Sequence, residues 1–134
     1  MVVFPNAKIN IGLYVTEQRP DGYHNLETVF YPAPLQDVLE IVPADTEELF
    51  LSGLPVPGDK ANNLIWKAYQ LLRAAYPSQV PLLHIYLHKV IPMGAGLGGG
   101  SADAAFVLQA INELFQLGID KSTLHRYALS LGSD

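Results

Sequence analysis

Apolar and polar residues alternate from Ala7 to Val15: Ala7, Ile9, Ile11, Leu13 and Val15 fall on one face, and Lys8, Asn10, Gly12 and Tyr14 on the other. A period of two marks a half-buried β-strand. Residues 17–25 follow with the turn chemistry of Pro20, Asp21 and Gly22. Residues 26–33 and 37–44 read as further short strands, each expected to stop at proline. Residues 51–60 read as an irregular connection. From Asn62 the period lengthens, and Ile65, Ala68, Tyr69, Leu72 and Tyr76 share one helical stripe with an asparagine available as N-cap. Pro77 and Pro81 end that helix. Residues 82–91 alternate again, with His84, Tyr86 and His88 opposite Leu83, Ile85 and Leu87. A second helix carries Val107, Leu108, Ile111, Leu114 and Phe115 and is expected to close with Gly118 at C′. A third covers roughly 121–131, capped by Asp120 or Ser122 and ended by Gly132. Strands first, then helix–strand–helix–helix, predict an α+β domain with helices on one face of a mainly antiparallel sheet.

Between the last strand and the second helix runs PMGAGLGGGSADAA (92–105), with five glycines among residues 94–100. Glycine in an ordered element costs about 0.5–1 kcal/mol relative to alanine, so the run needs a local reason. It contains Gly94-x-Gly96-x-x-Gly99, but a dinucleotide fold wants a strand buried on both faces directly before the loop. Here the strand is one-sided, and Pro92 separates it from the first glycine. A Walker loop would place Lys-Ser or Lys-Thr after its last glycine, whereas Gly100 is followed by Ser101-Ala102. What remains is a run of backbone N–H groups opening a helix at Ser101, the arrangement that cradles a polyphosphate.

Composition narrows the partners. Eight Lys+Arg against 13 Asp+Glu give a net charge of −5, which argues against a nucleic-acid face but not against a small anion held by a glycine loop. With no cysteine there is no disulfide framework and no thiolate nucleophile. No apolar run is long enough to span a membrane, and the first residues lack the pattern of a signal peptide. No carboxylate or second histidine follows His84, His88 or His125 at ligand spacing on a helix, so these read as structural or solvent-facing and no metal site is expected.

The stretch at 92–105 resembles the second signature of the GHMP kinases, the family of galactokinase and of homoserine, mevalonate and phosphomevalonate kinases. AKINIGLYV (7–15), RPDGYHNLETVF (19–30), GLGGGSADAA (96–105) and the LGSD at 131–134 resemble the branch acting on a cytidine-diphosphate-linked methylerythritol in non-mevalonate isoprenoid synthesis. The resemblance implies a fold like domain 2 of ribosomal protein S5, a cytoplasmic ATP-dependent kinase with Mg2+, and a substrate carrying cytidine diphosphate. It implies catalytic roles for Asp134, as acceptor of the substrate hydroxyl proton, and for Lys8 beside it. Asn10, Tyr23 and His24 would hold the substrate, the tyrosine stacking on the cytosine and the histidine bonding its edge. ATP would be held by Asn63, Leu64, Lys89, Pro92, Gly94, Gly96, Leu97, Gly98, Gly99, Gly100 and Ser101. Relatives carry asparagine where this chain has Asp103, which is expected to point away from the loop or towards a magnesium ion. Enzymes of the family are roughly twice this length, so the chain reads as an N-terminal ATP-binding domain, 1–134, without the C-terminal one. Another small-alcohol kinase, of the mevalonate or homoserine type, and an inactive anion-binding fragment stay open as alternatives.

Overall fold

A computed structural model of the chain describes residues 1–21 and 24–132, with side chains described outside 10–18 and 24–30. The elements run β1 (Val2–Val3), β2 (Asn6–Gln18), β3 (His24–Gln36), β4 (Val38–Pro43), β5 (Glu48–Gly53), α1 (Leu64–Ala75), β6 (Leu83–Lys89), α2 (Gly99–Leu114) and α3 (Lys121–Leu131). One sheet has the order β1-β4-β6-β5, antiparallel except where β5 meets β6. β2 and β3 form a separate antiparallel ribbon. The expected α+β class with a mainly antiparallel sheet is what is found.

The core lies between the four-stranded sheet and the helices. Alternation in β6 buries Leu83, Ile85 and Leu87, joined by Leu39 and Ile41 of β4. Against them pack Ile65, Ala68, Tyr69 and Leu72 of α1 and Val107, Leu108 and Ile111 of α2. The opposite face keeps the polar partners of the same alternation: His84 Nε2 lies 2.9 Å from Thr46 Oγ1, and His88 Nδ1 lies 2.9 Å from Ser52 Oγ. Tyr86 stacks there on Phe50, with ring centroids 4.7 Å apart.

Four local expectations are corrected. β5 occupies residues read as irregular or left unassigned; Leu49, Phe50 and Leu51 are consecutive apolar residues and give no period. β3 does not stop at proline but runs through Pro32 and Pro34, because its only strand partner among the described residues is β2 and an edge strand tolerates a missing donor. Ile9 is 45% exposed while Ala7 is buried, since a register shift between Asn6 and Lys8 breaks the period of two. α2 does not close on Gly118. It ends at Leu114, Gln116 takes the left-handed conformation at φ 51°, and the Asn112 side chain holds Ile119 by bonds of 3.0 and 3.1 Å. By contrast α3 begins as expected, Asp120 Oδ1 accepting the Thr123 N–H at 2.7 Å.

Candidate functional site

The glycine loop is built from left-handed residues. Gly94, Gly96 and Gly98 have φ of 72°, 74° and 70°, a region that side chains other than glycine rarely enter. Gly98 is also the N-cap of α2, which therefore opens two residues before the expected Ser101. No side chain caps this helix and no acid sits in its first turn. Its first internal bond runs from the Ala102 N–H to the Gly98 carbonyl at 2.9 Å, leaving the amides of Gly99, Gly100 and Ser101 without an intrahelical acceptor. Those donors and the positive end of the helix dipole suit an anion.

β2 is fastened to this loop, for the Lys8 N–H donates to the Leu97 carbonyl at 2.9 Å. The Lys8 side chain then crosses Gly98 so closely that a Cβ at 98 would lie 2.8 Å from Lys8 Cε and 3.0 Å from its Cγ. Glycine is required there twice, by conformation and by the lysine stem.

Lys8, Leu64, Gly98 and Ser101 line a cavity of about 330 Å3, closed on its far side by His125, Ala128 and Leu129 of α3. Leu64 and Pro92 line a second cavity with the loop glycines, Leu97 and Ser101. Asn63 borders a smaller one with Leu64, Met93 and Gly100, but its Oδ1 is committed to α1, accepting the Ile65 N–H at 2.9 Å. Of the residues expected at the site, Lys8, Leu64, Pro92 and the loop thus lie together around these cavities, beside Met93 and His125, which the sequence did not mark.

Lys89 is elsewhere than expected. Its side chain is 1% exposed and lies beneath the loop, not in a cavity. Its Nζ donates to Asp37 Oδ2 at 2.6 Å and to Asp103 Oδ2 at 2.8 Å. Asp37 Oδ1 accepts the Val90 and Ile91 N–H groups at 2.7 and 2.9 Å, where the chain leaves β6 for the loop. A Cβ on Gly99 would sit 2.8 Å from Ile91 Cγ2 and 2.9 Å from Lys89 Nζ, so α2 starts directly on top of this group. Asp103 thus points away from the loop, the first of its two expected directions. Burial, with the neighbouring Asp37 adding to it, pushes the Asp103 carboxyl up to about 8 against the pull of Lys89. Asp37 is held below the usual carboxylate range: burial opposes this, but hydrogen bonds to Asp103, Lys89 and the two amides prevail. No local signal marks Asp37, which follows β3 and meets Lys89 across 52 positions.

Asn10 lies in β2 opposite Phe30, and His24 opens β3 opposite Gln18, but their side chains lie outside the described residues, as do Tyr23 and Asp134 altogether. Among the described residues no three His, Cys, Asp or Glu side chains gather to hold a metal. None of the described helices is long and apolar enough to cross a membrane.

Comparison with known proteins gives three likenesses. The pattern of the GHMP kinases N-terminal domain matches residues 63–134. 4-Diphosphocytidyl-2-C-methyl-D-erythritol kinases of Bacteroides fragilis and Cytophaga hutchinsonii are 56% and 51% identical to this chain, over all of it and over 50% and 49% of their own lengths. A crystal structure of 4-(cytidine 5'-diphospho)-2C-methyl-D-erythritol kinase superimposes with a TM-score of 0.80 at 41% identity, covering 100% of this chain and 47% of that one. The chain spans about half the length of the curated relatives it matches.

Proposed function

The chain belongs to the GHMP kinase family, and from that premise we propose that it forms the nucleotide-binding part of a cytoplasmic kinase. The reaction is transfer of the γ-phosphoryl group of ATP to the 2-hydroxyl of 4-diphosphocytidyl-2-C-methyl-D-erythritol, in non-mevalonate isoprenoid synthesis. The observation that carries the nucleotide half of this reading is the uncapped start of α2 behind three left-handed glycines, with Lys8 laid across Gly98. The acceptor is inferred from the names of relatives above 50% identity.

In this reading the triphosphate lies along the loop, its oxygens taking the amides of Gly99, Gly100 and Ser101. The Lys8 ammonium offsets charge at the reacting phosphoryl group. Asp134 takes the proton of the attacking hydroxyl as the new O–P bond forms and the bond to the β-phosphate oxygen breaks, releasing ADP. Tyr23, His24 and Asn10 hold the substrate, the first two at its cytosine, and Leu64 borders the adenine. Asn63, Lys89 and Pro92 support the loop and the start of α1. Magnesium would accompany the triphosphate as its counter-ion and neutralise charge on the phosphate oxygens.

The test is turnover by the protein at the length of its relatives. With ATP and the cytidyl substrate it should release ADP and a product carrying one new phosphomonoester signal in phosphorus NMR. Equal or faster ADP release with mevalonate or homoserine would contradict the substrate assignment.

A further inference from the structure

Beneath the loop lie three ionisable side chains that take no proton and touch no reacting atom in the phosphoryl transfer. Asp37, Lys89 and Asp103 are 0%, 1% and 2% exposed. One buried ammonium faces two carboxylates, at 2.6 and 2.8 Å. With both acids ionised, the group carries a net negative charge directly under an anion cradle, and neighbouring buried carboxylates resist double ionisation. The two acids are not equivalent. Asp37 Oδ1 receives two backbone amides, which favour its charged form. Asp103 Oδ1 is buried without a hydrogen-bond partner, the environment of a neutral carboxyl.

We propose that Asp37, Lys89 and Asp103 are positioning residues for the glycine loop, and that the proton on Asp103 sets the charge beneath it, admitting a polyphosphate when present and opposing it when lost. The proposal rests on the reading of the loop as a phosphate cradle. Lys89 and Asp37 fix the end of β6 and the Val90 and Ile91 amides at the loop entrance. Gly99 rests on Lys89 Nζ and Ile91, so the first turn of α2 inherits the geometry and the field of the triad. Burial places the ionisation of Asp103 at about 8, within reach of ordinary buffers.

The groups around Asp103 leave few other candidates for such a titration. Among the described residues, β6 contributes Lys89 and the β3–β4 link contributes Asp37. α1 and the turn before it present the uncharged Asn62, Asn63 and Leu64. β2 brings Lys8 across Gly98, and α3 brings His125 to the cavity on the other side of Ala102 and Ala104. Asp103→Asn leaves every one of these groups in place, so it isolates the Asp103 proton.

The experiment is calorimetric titration of a non-hydrolysable ATP analogue into the protein at the length of its relatives, from about pH 7 to about pH 9. The dissociation constant should rise about tenfold across that window, with a midpoint near that of Asp103. In Asp103→Asn the ratio of the two constants should fall to within about twofold, since no proton remains to be lost. Measurable binding with a flat wild-type profile overturns the triad's role while leaving the phosphate reading intact. The same rise in Asp103→Asn as in the wild type also overturns it. Absence of binding at every pH overturns the phosphate reading itself and this proposal with it. Should Asp103→Asn not fold, Asp103→Ser, which likewise has no proton to lose in this range, takes its place with the same expected outcomes.

Discussion

A methyl group at residue 98 would push the Lys8 side chain aside. It would meet Lys8 Cε at 2.8 Å, on a backbone at φ 70° that costs an ordinary residue about 1–2 kcal/mol. Gly98→Ala is therefore expected to displace Lys8 and lower kcat/KM about tenfold or more, the equivalent of 1.4 kcal/mol in transition-state binding. Steady-state kinetics beside a melting curve separate this from simple unfolding. Asp103 gives a second prediction, with a definite sign. An unfolded aspartate loses its proton near about pH 3.9, whereas the native one keeps it to about 8, so the native state binds more protons between the two values. Stability should fall as pH rises through that window. Asp37 acts oppositely and lower: its depressed value adds stability above about pH 3.9 that is lost in stronger acid. Asp103→Asn should flatten the decline between about pH 5 and about pH 8, by an amount on the order of 1–3 kcal/mol in urea unfolding. An unchanged slope would show that Asp103 is ionised in the native protein.

Elements were legible where one local period decides the outcome. β6 puts Leu83, Ile85 and Leu87 in the core because alternation is the only constraint on it, and the α1 stripe is buried for the same reason. They were illegible where a neighbour overrides the pattern. β5 exists because β6 offers an edge in parallel register, Leu49 opposite Ile85, and not because its own residues alternate. The prolines of β3 are harmless only because β2 is its one partner strand among the described residues, and Ile9 turns outward only because of the register shift before Lys8. One element-scale test concerns the start of α1, where the Asn63 side chain satisfies the Ile65 N–H. Asn63→Ala should cost about 1 kcal/mol of stability through the lost cap. If ATP affinity falls far more than stability does, Asn63 touches the nucleotide as well as the helix.

At the scale of the whole molecule, the left-handed loop before α2 was readable because it is written in closely spaced glycines. Its support was not: Asp37 reaches Lys89 across 52 positions, and the lysine expected to hold ATP lies buried beneath the loop. The chain also spans only half the length of its curated relatives. Phosphoryl transfer depends on positioning by the whole cleft, so residues 1–134 alone should turn over at least about 100-fold more slowly than the protein at the relatives' length. A coupled ADP-release assay on the two, side by side, makes the comparison; equal rates would mean that the second half is dispensable.

If the amides opening α2 receive the phosphates of ATP, amide hydrogen exchange reads those atoms directly. In the protein at the length of its relatives, a saturating non-hydrolysable ATP analogue should slow exchange at Gly99, Gly100 and Ser101, whose N–H groups have no intrahelical acceptor. Amides at the start of β5, Glu48 to Phe50, which pair with the His84–Tyr86 end of β6 away from the loop, should be unaffected. Exchange at Gly99–Ser101 that is unchanged under demonstrated nucleotide binding would contradict the account, because the nucleotide would then be held elsewhere.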